Sequence, residues 1–203
     1  PPDLVSTLMT ATLVGGADAD IVVSDSTKNQ GTGASAPSST GFYLSTNATL
    51  DAADVLIGSR PVSGLAPGAT ETAQTTLHVP ATTTPGSYFV IAKTDWDGTV
   101  AESVETNNTR PSAAIKIGAD LVVSVLTVPA AAAAGSTFAT TEATKNQGGG
   151  VAPSTTTRFY LSNDSILDAS DVALGNRTVP ILQSNATDQV NITLALPAST
   201  AVG

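Results

Sequence analysis

The sequence predicts an all-β chain of two tandem β-sandwiches, the second lacking its last two strands. Three observations carry this: the residue usage, a long internal repeat, and short alternating runs separated by turn clusters. Of 203 residues (20.2 kDa), 41% are hydrophobic, yet only 4% are aromatic and 12% charged, about half the usual charged share. Ala, Val, Leu, Ser and Thr dominate, with 17 Gly and 12 Pro. Small, β-branched and turn-forming residues favour pleated strands over helices. The length suits one large domain or two of about 100 residues.

The repeat decides between these. Asp3-Leu4-Val5 recurs as Asp120-Leu121-Val122, and Thr27-Lys28-Asn29-Gln30-Gly31 as Thr144-Lys145-Asn146-Gln147-Gly148. Phe42-Tyr43-Leu44-Ser45 returns as Phe159-Tyr160-Leu161-Ser162, and Gly58, Arg60 and Val62 as Gly175, Arg177 and Val179. Every pair is 117 positions apart without a gap, and 33 of the 84 aligned pairs from Asp3 to Gly86 are identical. This is a tandem duplication. It sets domains at 1–118 and 119–203, joined at Gly118-Ala119 with no Gly/Ser spacer, so adjacent sandwiches are expected to be held fairly rigidly.

Within the first copy, strands are predicted near Leu4–Thr10, Ala19–Lys28, Thr40–Ser45, Val55–Val62, Glu71–Val79, Ser87–Thr94 and Ala113–Ile117. Turns are marked by Asn29-Gln30-Gly31, Ala66-Pro67-Gly68, Pro85-Gly86 and Asp97-Gly98. Alternation puts Phe42 and Leu44 on one face with Tyr43 on the other, and Thr75, Leu77 and Val79 on a buried face. Seven strands in about 117 residues make an immunoglobulin-like or fibronectin-III-like sandwich.

Gly203 aligns with Gly86, so the second copy has no counterpart of Ser87–Thr94 or of the last strand. The sixth strand of such a sandwich is central, and without it the Phe159–Leu161 strand exposes backbone donors and apolar side chains. Three readings stand side by side: a piece of a longer repetitive chain, a second copy completed by β-strand addition from a neighbouring subunit, or partial disorder of that copy.

Net charge −9 with only 8 Lys+Arg gives no electrostatic footprint for nucleic acid or an anionic membrane, and no apolar run is long enough for membrane insertion. Zero Cys and a single His remove thiolate chemistry and most triads. His78 faces Ala195 in the repeat and reads as an exposed strand residue. No catalytic residues are assigned.

The candidate site is the acidic segment after each Tyr-Leu-Ser run. Asn47, Asp51 and Asp54 in one copy, and Asp164, Asp168 and Asp171 in the other, are oxygen donors suited to calcium. The competing reading makes Asp51 and Asp168 caps of a short helical turn, with Asp54 and Asp171 completing a capping-box-like pair. A second stretch, Asp95-Trp96-Asp97-Gly98 with Glu102, Glu105, Asn107 and Asn108, reads as a turn held by its own side chains, or as a ligand site with Trp96 as a sugar-stacking platform. Asn47, Asn107, Asn163, Asn176, Asn185 and Asn191 each begin an Asn-x-Ser/Thr sequon, so N-glycosylation is expected where the source performs it.

The succession Pro2-Asp3-Leu4-Val5, Lys28-Asn29-Gln30-Gly31, Phe42-Tyr43-Leu44-Ser45, Asp51 with Asp54, Pro85-Gly86-Ser87-Tyr88, and Glu102 with Glu105-Thr106-Asn107-Asn108 resembles the CARDB domain. The resemblance covers the whole first repeat and all that is present of the second. It implies the immunoglobulin-like modules, often in tandem, of bacterial and archaeal surface proteins. The expectation is therefore an extracellular structural or adhesive module, self-associating into a homo-oligomer or filament or packing on neighbouring repeats. No cofactor is required, with calcium as the one candidate. The alternative is a non-catalytic calcium- or carbohydrate-binding accessory module of a larger secreted protein.

Overall fold

The computed structural model describes residues 1–199; the match of Gly203 to Gly86 lies outside them. The chain divides into unit 1, Pro1–Gly118, and unit 2, which starts at Ala119. Unit 1 contains β1 (Leu4–Ala11), β2 (Val14–Gly15), β3 (Asp20–Asn29), β4 (Ser38–Ser45), β5 (Val55–Val62), β6 (Thr70–His78), β7 (Gly86–Thr94), β8 (Thr109–Pro111) and β9 (Ile115–Ile117). One sheet has the order β1-β3-β6 and the other β2-β9-β7-β4-β5, with β8 also paired to β7. The predicted strands fall on these elements with end shifts of a residue or two, apart from the last.

That last strand, expected at Ala113–Ile117, is divided. Pro111 ends β8, and Ser112 then takes over the ladder: its Oγ accepts the Val90 N–H (3.0 Å) and its own N–H donates to the Val90 carbonyl (2.9 Å). β2 escapes prediction, because a two-residue strand carries no period; it pairs parallel to β9.

The inward residues of both sheets meet in a main core, with Leu4, Val62, Leu65 and Val100 in a second cluster. Met9, Ile21, Phe42, Leu44, Leu77 and Val79 close against Val90 and Ala92 of β7 and Ile115 and Ile117 of β9. Tyr43 lies on the other face and is half-buried, as the alternation requires.

Unit 2 repeats the scheme with β10 (Leu121–Thr127), β11 (Thr137–Asn146), β12 (Thr155–Leu161), β13 (Val172–Val179) and β14 (Thr187–Ala195). Its sheets are β10-β11-β14 and β12-β13. Local irregularities are copied too. The register shift between Phe42 and Tyr43 against β5 recurs between Phe159 and Tyr160 against β13. The left-handed turn position is Gly68 (φ 79°) in unit 1 and Asn185 (φ 62°) in unit 2, the two residue types that enter this region most readily.

Candidate functional site

The acidic turns come first. In unit 1, Asp51 Oδ1 accepts the Ala53 N–H (2.7 Å), Asp54 Oδ2 accepts the Asp51 N–H (2.8 Å), and the Asp54 N–H donates to the Asp51 carbonyl (3.3 Å). Asn47 Oδ1 accepts the Thr49 N–H (2.7 Å) in a separate small turn. Unit 2 repeats this with Asp168 and Ser170 (2.7 Å), Asp171 and Asp168 (2.8 Å), and Asp164 and Ile166 (2.7 Å). The Ser170 hydroxyl and N–H hold the Asp168 carboxyl below the usual aspartate range. Asp51 and Asp168 thus cap the turn and Asp54 and Asp171 complete the reciprocal pair, but the element is a single β-turn and not a helical one, since β5 and β13 begin directly after it. Among the described residues no group of three or more His, Cys, Asp or Glu is arranged to hold a metal ion.

The second acidic stretch is a loop fastened from inside. Buried Asp95 accepts the Thr99 N–H (3.2 Å) and Val100 N–H (3.0 Å). Glu102 reaches the Leu4 N–H (2.9 Å) and the Asn108 amide (2.8 Å), and burial pushes its carboxyl above the usual range. Trp96 packs against β4 at Gly41, where a Cβ would lie 2.8 Å from the indole Cγ. The ring is thereby used as a loop anchor. Of the six sequon asparagines, Asn47, Asn163, Asn176, Asn185 and Asn191 are exposed. Asn107 is half-buried and its Nδ2 donates to Asp3 (2.9 Å), so the glycan-accepting atom is engaged.

Sequence reasoning missed a buried ion triad in each unit. Arg60 on β5 donates from Nε and Nη2 to both oxygens of Asp25 on β3 (2.8 Å each) and from Nη1 to Glu71 on β6 (2.8 Å). Burial works against the Arg60 charge, but the two carboxylates outweigh it and hold the proton more tightly than usual. In unit 2 Arg177 bridges Glu142 and Asp188. The signal was present: the pairs Arg60 and Arg177, Asp25 and Glu142, and Glu71 and Asp188 all stay charged across the duplication in a chain only 12% charged.

The described residues of unit 2 stop short of the counterparts of β7 to β9, and the two units differ at that sheet edge. In unit 1, β4 lies between β5 and β7. In unit 2, β12 pairs with β13 alone among the described residues, which leaves the backbone groups of its other edge without ladder partners. Beside it is an apolar groove of about 540 Å³. Its walls include Leu126, Phe138, Phe159, Leu161, Leu194 and Leu196. Their counterparts at the repeat offset are Met9, Ile21, Phe42, Leu44, Leu77 and Val79, all in the unit 1 core. Met9 is 5% exposed and Leu126 56%; Leu4 is 0% and Leu121 37%. The groove is therefore the unit 1 core without Val90, Ala92, Ile115 and Ile117.

Fold and site define a tandem immunoglobulin-like β-sandwich protein with a twofold-repeated polar framework. A family model, CARDB, matches residues 1–112 and 118–202, and the chain belongs to the CARDB family. The family comprises cell-surface modules of bacteria and archaea. Among solved structures, a Pyrococcus furiosus CARDB domain in complex with di-metal ions is 22% identical, with 57% of this chain and 88% of that one covered and a TM-score of 0.43. A domain of a Methanosarcina acetivorans protein, named as a cell surface protein, is 20% identical over 57% of this chain and 91% of its own, with a TM-score of 0.40. An Erythrobacter marinus β-glucosidase is 16% identical, covering 57% of this chain and 15% of the enzyme, with a TM-score of 0.41. No curated protein sequence matches the chain. Among the described residues no helix is long and apolar enough to cross a membrane.

Proposed function

We propose that this chain is a non-catalytic structural and adhesive module of an extracellular surface protein, self-associating or packing on neighbouring repeats of the same protein. One observation carries the reading: each sandwich is braced by the same internal polar framework, an arginine held between two carboxylates, while the acidic turns spend their oxygens on backbone N–H groups. Successive modules form a homo-oligomer or filament, with no metal in the joint.

Sedimentation velocity in calcium and then in excess EDTA tests this. Large species that persist in both are expected. A monomer in both conditions overturns assembly for this chain. Species that dissociate in EDTA overturn the metal-free joint and assign calcium to the turns of Asn47, Asp51 and Asp54 and of Asp164, Asp168 and Asp171.

A further inference from the structure

Where the chain enters and leaves unit 1 decides how that sandwich meets tension. Pro1 lies beside the loop that follows β3, its carbonyl accepting the Gly33 N–H (3.2 Å). The chain leaves through β9, and Gly118 donates its N–H to the Gly15 carbonyl (3.0 Å) before unit 2 starts at Ala119. Between them β1 runs the length of the sheet, from Leu4 opposite Asn29 to Ala11 opposite Val23. Entry and exit therefore sit at opposite ends of the sandwich, and a pull between them runs along the strands.

Along that line the pairing is parallel. Val14 of β2 lies opposite Lys116 of β9 and Gly15 opposite Ile117, and the Lys116 N–H donates to the Leu13 carbonyl (2.8 Å). Tension draws β2 back through its N-terminal side and β9 forward through its C-terminal side. The ladder is sheared, so its hydrogen bonds carry the load together; an antiparallel pair opened from one end releases them one at a time. The entry is tied down as well. The Ser103 N–H donates to the Pro2 carbonyl, the Leu4 N–H to Glu102, the Asn107 amide to Asp3 and the Thr94 hydroxyl to the Leu4 carbonyl, each at 2.9 Å. These bonds join residues 90 or more positions apart, so the first strand cannot peel away without releasing the segment 94–107.

From this we infer a further, mechanical function: unit 1 is a shear clamp that bears tension along the chain, with the parallel β2–β9 ladder as its grip and the ties on Pro2–Leu4 as its anchor. The inference rests on the structural-module reading for its setting, but the resistance belongs to unit 1 itself.

The chain has no Cys, so introduced pairs set the points of attachment for optical tweezers on the full chain. Pro1→Cys with Ala119→Cys loads β2 and β9 in shear, while Pro37→Cys with Ser63→Cys opens the antiparallel β4–β5 pair from its Ser38–Val62 end. All four positions are exposed. At one constant load, unfolding is expected to be about tenfold or more slower in the first geometry. Lys116→Pro removes the donor to Leu13; it should speed unfolding about fivefold in shear and leave the β4–β5 geometry unchanged. Equal lifetimes in the two geometries overturn the clamp, as does a Lys116→Pro effect of the same size in both. If Lys116→Pro does not fold, the comparison of geometries decides alone. The two proposals fail separately. A chain that is monomeric in sedimentation yet resists shear sinks assembly and keeps the clamp, and an assembling chain with equal lifetimes keeps assembly and sinks the clamp.

Discussion

Asn29 is wholly buried and makes four hydrogen bonds. Its Nδ2 donates to the Gly33 (2.8 Å) and Leu65 (2.9 Å) carbonyls, and its Oδ1 accepts from the Asp3 (3.2 Å) and Gly31 (3.0 Å) N–H groups. Asn146 repeats this with Gly150, Leu182, Asp120 and Gly148. The Lys-Asn-Gln-Gly motif is thus a latch holding the first strand, the β3 exit and a distant loop together, a need that four unsatisfied buried groups would enforce. His78 is the opposite case, an exposed residue with a readable charge. Its Nδ1 lies 3.0 Å from Asp20 and its Nε2 3.2 Å from Asp18, and these hydrogen bonds raise its pKa above the ordinary 6.5. A raised folded-state value means the imidazolium stabilises the fold in full below the unfolded pKa, and that this contribution is lost as pH rises through the folded value. Calorimetry should therefore show His78→Gln lowering Tm more at about pH 5.5 than at about pH 8.5. An equal effect at both pH values would show that the pairing with Asp18 and Asp20 contributes nothing.

The triads act between elements, tying β3, β5 and β6 across the sandwich. Unit 1 uses a short acid on β3 and a long one on β6 (Asp25, Glu71); unit 2 exchanges them (Glu142, Asp188), so the reach from sheet to guanidinium is redistributed around an invariant arginine. Asp25→Glu alone lengthens a wholly buried arm and is expected to cost about 1–3 kcal/mol. Adding Glu71→Asp should recover part of it, with a coupling of about 1 kcal/mol or more in a double-mutant cycle by urea unfolding. Additive losses would mean the exchange is incidental. The strands themselves were legible because one face of each is buried and the other wet, so period two survives in the sequence, as in Phe42, Tyr43 and Leu44. The triads were not, since a lone Arg or Asp in an alternating run reads as an outward residue; only its persistence across the duplication betrays it. The acidic turns were legible as turns and illegible as chemistry. The same Asp and Asn types serve a cation and a backbone N–H equally, and only the geometry at Asp51 and Asp168 shows that N–H groups are held.

At the scale of the molecule, two copies of one sandwich stand in one chain, and the described residues of unit 2 bury less apolar surface than their counterparts in unit 1. Apolar burial is the main favourable contribution to such a domain, and Leu121 and Leu126 are exposed where Leu4 and Met9 are buried. Unit 2 should therefore unfold before unit 1. Calorimetry of the full chain is expected to show two transitions, with the lower belonging to unit 2. A single transition would mean that the exposed apolar side chains of unit 2 cost it no stability.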